Sequence, residues 1–183
     1  MGSITLTPGA APGSPAEGEI YYDSTADKLK VRNASAFESI ASGAGTIIQM
    51  VTNVVSISHA HSSTTKTRVT NGPYVVVTTK QANSKIYLLC DTQTYHYSTR
   101  TDFFRSGVGS DTSNLSGNTN GLTGPTGGDT GWENRFYHWV DAPAQPAGTA
   151  ITYDAVVFGT GGTAINWGST SYQQRITAFE IAV

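Results

Sequence analysis

Short apolar runs, each cut off by a turn before it reaches helix length, decide what this chain can fold into. No window of a dozen residues carries the stripe of Leu, Ala, Glu and Lys that repeats every three to four positions on an amphipathic helix. Instead, β-branched and aromatic residues alternate with polar neighbours and stop at Gly, Asn, Pro or Ser, which is the pattern of strands joined by tight turns. Composition agrees. Only 13% of residues are charged, against about a quarter in ordinary globular chains. Ser, Thr, Asn and 20 glycines fill the gap. The expectation is an all-β chain, and 183 residues suffice for one domain with a small appendage.

The first 45 residues differ from the rest. Residues 1–18 hold Pro8, Pro12 and Pro15 with Gly9, Gly13 and Gly18, a composition that suits an extended arm and not a sheet interior. Three strand-like runs follow, Glu19–Asp23, Lys28–Asn33 and Ala36–Ile40, with Leu29 and Val31 alternating against Lys28, Lys30 and Arg32. This small β-meander has too few apolar residues to offset its chain entropy alone, so it needs a partner surface. Ala41–Gly45 reads as a flexible joint. Two domains are therefore expected: residues 1–45, an arm and meander that dock, and residues 46–183, a displayed β-sandwich.

Beyond the joint, strands are expected over Thr46–Val51 leading on through Val54–Ile57, and over Tyr74–Thr78, Lys85–Cys90, Thr94–Arg105, Thr149–Phe158 and Gln174–Val183. Lys85–Cys90 is almost continuously apolar, so it should be covered on both faces. In the last strand Phe179, Ile181 and Val183 share one face, and Ile176, Ala178 and Ala182 the other. Roughly eight strands at this spacing point to a jelly-roll-like β-sandwich. Ser106–Gly131, with no aromatic, Lys or Arg, reads as a long surface loop that is either a solvated insertion or a contact surface.

A net charge of −2 without any basic run excludes nucleic acid and anionic membrane as partners. No signal peptide and no bilayer-length apolar stretch is seen, so folding in a cytosol without membrane insertion is expected. The single Cys90 ends an apolar run and reads as a buried, inert thiol. There is no Gly-x-Ser-x-Gly elbow and no Gly-x-x-x-x-Gly-Lys loop, and Asp102, Asp111 and Asp129 lie far apart along the chain. The expectation is no enzyme and no cofactor.

His59 and His61 stand two apart and so share one side of a strand. Two nitrogens are too few for a metal site, and ordinary polar strand-edge or interface histidines are expected. The group Trp132, Phe136, Tyr137, Trp139 and Trp167 has two readings. Core and subunit interface is one; the other is a binding surface in which Trp132 and Trp139 stack on saccharide with Asn134 and Arg135 as polar partners. Phe136 and His138 alternate with Tyr137 and Trp139, so one of these two faces should be buried.

The segment GSPAEGEIYYDSTADKLKVRNASAFESI at 13–40 resembles a short module recurring in tail-fibre and other virion structural proteins of tailed bacteriophages, notably marine ones. IIQMV at 47–51, YVVVTT at 74–79, SKIYLLCDTQ at 84–93, Phe103-Phe104-Arg105 and ITAFEIAV at 176–183 resemble, in order, the C-terminal domain of such fibres. The resemblance implies a non-enzymatic virion protein, a homotrimer that attaches through its N-terminus and displays a sandwich to a host-surface glycan. Around a three-fold axis, His59 and His61 would give six nitrogens, the arrangement by which such fibres bind a metal. The usual shaft before the displayed domain is missing, which keeps a capsid decoration (cement or head-fibre) protein open. A soluble lectin-like module is the alternative of another class.

Overall fold

The structure, a computed structural model, describes residues 16–23, 25, 28–32, 37–39, 44–95, 99–107, 110, 115–123, 131–159 and 165–183. Most of the expected arm, part of the expected joint and much of the Ser106–Gly131 segment, with Asp111 and Asp129, lie outside the described residues. Every element is β. Two compact units are found, one within the first 46 residues and one running from Ile47 to Ile181.

In the first unit β1 (Ile20–Asp23), β2 (Lys28–Arg32) and β3 (Phe37–Ser39) form an antiparallel sheet in that order. The three-strand expectation holds. Lys30 and Asp23 close an ion pair of 2.6 Å across β1 and β2.

The second unit holds β4 (Ile47–Val55), β5 (His59–His61), β6 (Thr67–Arg68), β7 (Tyr74–Thr78), β8 (Lys85–Tyr95), β9 (Arg100–Gly107), β10 (Trp132–Asp141), β11 (Ala150–Phe158), β12 (Ile165–Trp167) and β13 (Gln174–Ile181). One sheet runs β4-β13-β8-β12-β5, with β10 along the free side of β8. The other pairs β11 with β9 on one side and with β7 and β6 on the other. Reduced to principal strands, the sheets read β4-β13-β8-β10 and β7-β11-β9. That is the interleaved order of a jelly roll, with one place vacant beside β9. Residues 115–123 take that place with sparse pairing. The Leu115 amide donates to the Phe103 carbonyl, the Leu122 amide donates to the Thr101 carbonyl, and Thr123 bridges to Thr101. Gly121 permits this approach: its φ is +69°, and a Cβ there would stand 2.6 Å from the Thr101 carbonyl oxygen.

The core forms where the two inner faces meet. Ile86, Leu88 and Cys90 of β8, Tyr137 of β10 and Ile176 and Ala178 of β13 pack on Val75 and Val77 of β7, Phe103 of β9 and Ile151, Tyr153, Ala155 and Val157 of β11. Burying side chains of this size contributes about 1.5–3 kcal/mol each.

Two expectations are corrected. Thr94–Arg105 is not one strand. Thr94 and Tyr95 end β8 in the large sheet, while β9 belongs to the other sheet. The strand sealed on both faces is β11, whose residues from Tyr153 to Phe158 are all buried. On β8, Tyr87 and Leu89 remain half-exposed. The run expected from Thr46 on through Ile57 carries one strand, β4, with a bulge opposite Glu180 and Ile181.

Candidate interaction surface

β10 decides where most of the candidate binding residues go. Its side chains alternate strictly: Glu133, Arg135, Tyr137, Trp139 and Asp141 turn inward, and Trp132, Asn134, Phe136, His138 and Val140 turn outward. The proposed set Trp132, Asn134, Arg135 and Trp139 is therefore divided between two faces. Trp132 is 45% exposed beside Asn134, and its ring lies 5.4 Å from that of Tyr95. Arg135 is buried and donates to Glu133 at 2.7 Å, and Trp139 packs against the core. Adjacent strand residues cannot serve one flat ligand from one side, so Asn134 and Arg135 are not joint partners of a saccharide.

The register continues the outward face of β10 across the sheet. One row runs Val54, Arg175, Asp91, Phe136, from β4 through β13 and β8 to β10. The next runs Thr52, Thr177, Leu89, His138, and the third Met50, Phe179, Tyr87, Val140. Thr52 and Thr177 share a hydrogen bond of 3.0 Å, and the Tyr87 ring stands 5.8 Å from His138 and 6.3 Å from Phe179. The Tyr172 hydroxyl donates to Asp91 at 3.0 Å. Accepting it makes ionisation costlier for Tyr172, whose pKa is raised mainly by this bond.

Between these rows lies a shallow depression of about 490 Å³. Met50, Val54, Leu89, Phe136 and Phe179 line it, with Asp91 and Arg175 at one end. Phe136 is 63% exposed and Met50 61%. A large apolar side chain at that exposure is not held by its own fold. Several on one rigid face mark a surface built for contact.

His59 and His61 do share one side of β5, with rings 6.0 Å apart and 24° from parallel. That side turns toward Ile165 and Trp167 of β12, so the pair is half-buried and not a free rim. Both Nε2 atoms are buried without a hydrogen-bond partner. Burial, then the neighbouring His61, lowers the pKa of His59. Among the described residues no third His, Cys, Asp or Glu joins them in a group able to hold a metal ion.

The remaining candidates sit inside. Cys90 is buried, and burial pushes its thiol up to about 12. Asp102 is fully buried, accepting from Ser116 and from the Phe103 amide. Sequence reasoning missed a set of buried carboxylates tied to distant partners. Asp141 accepts from Arg105 and from the Tyr153 hydroxyl, Asp154 is ion-paired with Arg68 and accepts from Ser106, and Glu180 accepts from the 80–84 turn. No family model matches the chain, and no curated protein proved similar to it.

Proposed function

We propose that this chain is a non-enzymatic structural protein of a bacteriophage virion, a short trimeric fibre or spike that attaches through its N-terminal unit and holds out the sandwich for contact with a host surface. The observation that carries this reading is the state of the first unit. Among residues 16–23, 25, 29–32 and 44–46 none is fully buried, and Ile20 and Leu29 are 46% and 37% exposed. Three strands of four, five and three residues hide too little apolar surface to offset the entropy of ordering them. Such a sheet is stabilised by a surface supplied from outside, which is what a docking end is. The order of segments along the chain, resembling that of fibre proteins, supports the same reading.

The displayed end fits the second half of the proposal. A rigid sandwich carries Trp132 and Asn134 outward, side by side on alternate positions, with the 115–123 segment on the other sheet. An aromatic face with an amide beside it suits a weak saccharide contact, multiplied by the copies on a particle.

The test is a chain lacking residues 1–18, co-expressed with particles that lack the full chain. The expected result is a folded sandwich absent from purified particles. Incorporation at the normal level overturns the docking assignment. Immunogold labelling of intact particles should mark the tail; label on the head would make the protein a capsid decoration. A chain found only free of particles, yet retained by a glycan array, would make it a soluble lectin-like module.

A further inference from the structure

We infer that the outer face of β4-β13-β8-β10 is where copies of this chain meet, each sheet facing the three-fold axis of a homotrimer. The inference rests on the trimer reading above and assigns the surface that makes it.

Three observations select a second copy as the occupant. The first is the sequence of β8. Ile86-Tyr87-Leu88-Leu89-Cys90 is apolar on both sides, the composition of a strand that ends up covered twice. Its inner side is sealed, while Tyr87 and Leu89 on the outer side are only half-buried in the single chain. The second is charge. Arg175 and Asp91 stand opposite each other in one row, and the rows of Thr52 and Met50 hold no Lys, Arg, Asp or Glu. Lys85, opposite Ile181 in the row beyond Met50, is the one further charge on the outward side of these four strands, so an identical face can approach with little repulsion. The third is size. Four strands about 4.8 Å apart, each about ten residues at roughly 3.4 Å, cover about 650 Å². Stable interfaces bury about 800 Å² per partner, so the whole sheet face, and not a corner of it, is needed. A small ligand seated in the depression would use a fraction of that area and leave Trp132 and Val140, 45% and 47% exposed on the outward side of β10, uncovered.

The experiment is sedimentation of the full chain and of single variants at micromolar concentration. The unaltered chain is expected at three times 19.3 kDa. Met50→Arg and Phe136→Arg are expected at the single-chain mass with unchanged circular dichroism, because both side chains are more than half exposed, and with a melting temperature below that of the trimer, because the stabilisation supplied by association is lost. Val76→Arg, 44% exposed on β7 in the other sheet, is expected to stay trimeric. An unaltered trimer whose Met50→Arg and Phe136→Arg variants also remain trimeric overturns the surface and leaves the trimer reading standing. An unaltered chain at 19.3 kDa overturns both.

Discussion

Removing the Glu180 carboxylate should be among the most damaging single changes in this fold. Glu180 faces inward on β13 and is fully buried. Its partners are all neutral. The Lys80 amide donates to both oxygens at 2.8 and 2.9 Å, the Gln81 amide donates at 3.1 Å and the Ser84 hydroxyl at 2.6 Å. The Gln49 carboxamide donates to it as well, and also to the Thr78 carbonyl. One side chain thus fixes the turn between β7 and β8 and ties β4 to it. Glu180→Ala leaves two amides, a buried hydroxyl and a carboxamide without their acceptor. An unmet donor costs about 1–3 kcal/mol, and hydrogen bonds to a charged acceptor contribute about 1.5–3 kcal/mol each. Relief of carboxylate desolvation returns several kcal/mol, and Lys80 is exposed enough for water to reach its amide. The net loss is about 3–5 kcal/mol, a large share of the roughly 5–15 kcal/mol that holds a domain of this kind. Glu180→Gln keeps a carbonyl for the amides and Ser84 and should lose about 1–2 kcal/mol. Urea unfolding followed by tryptophan fluorescence reads both changes as shifts of midpoint at constant slope. An alanine variant within 1 kcal/mol of the parent (about a fivefold change in the folding equilibrium) would show that the carboxylate is not the anchor described here.

Two further outcomes follow from the buried titratable groups. Cys90 should fail to react with a disulfide reagent at pH 8 while the chain is folded, and react fully in denaturant, because burial holds its thiol near 12; fast native labelling would contradict its position. His59 has a folded pKa below its ordinary value of 6.5, so protons bind the unfolded chain first. Its contribution is fully present above pH 6.5 and is lost as pH falls from there toward the folded value; His59→Phe should weaken the acid-side drop in urea midpoint, and an unchanged profile would count against the burial of this ring.

Much of this architecture is written locally, and the missing parts are those decided at long range. The meander, β4, β7, β11 and β13 can be read from alternation and turn residues, and so can the shared side of His59 and His61. Tyr95-His96-Tyr97 hid the passage from one sheet to the other, since aromatic residues continue a strand pattern as readily as they close one. β5, β6 and β12, of two or three residues each, are too short to carry a period. Alternation divided β10 into two faces, but only packing on Phe103, 4.9 Å from the Tyr137 ring, selects the inner one. The same is true of the carboxylates. Glu180 finds its donors about 100 residues away, and a segment read alone gives no sign of them.

β13 sets the two halves of this reasoning side by side. Its inner face carries Gln174, Ile176, Ala178 and Glu180, while Arg175, Thr177, Phe179 and Ile181 look outward. For a sandwich working alone in water the distribution is inverted, since a phenylalanine and an isoleucine would gain more from the interior than a glutamine and a glutamate. The inner polar groups are nonetheless committed: Gln174 accepts from the Ile57 amide and donates to the Ser169 carbonyl, and Glu180 holds the 80–84 turn. They cannot be exchanged outward without loosening the loops at the two ends of the strand. Core space on β13 therefore goes to bonds that close the fold, and its larger apolar side chains are left on the outer face beside Met50 and Phe136. In the trimer proposed above, covering that face recovers the burial that the single chain forgoes, and on that proposal the inner polar anchors and the outer apolar rows are two consequences of one strand.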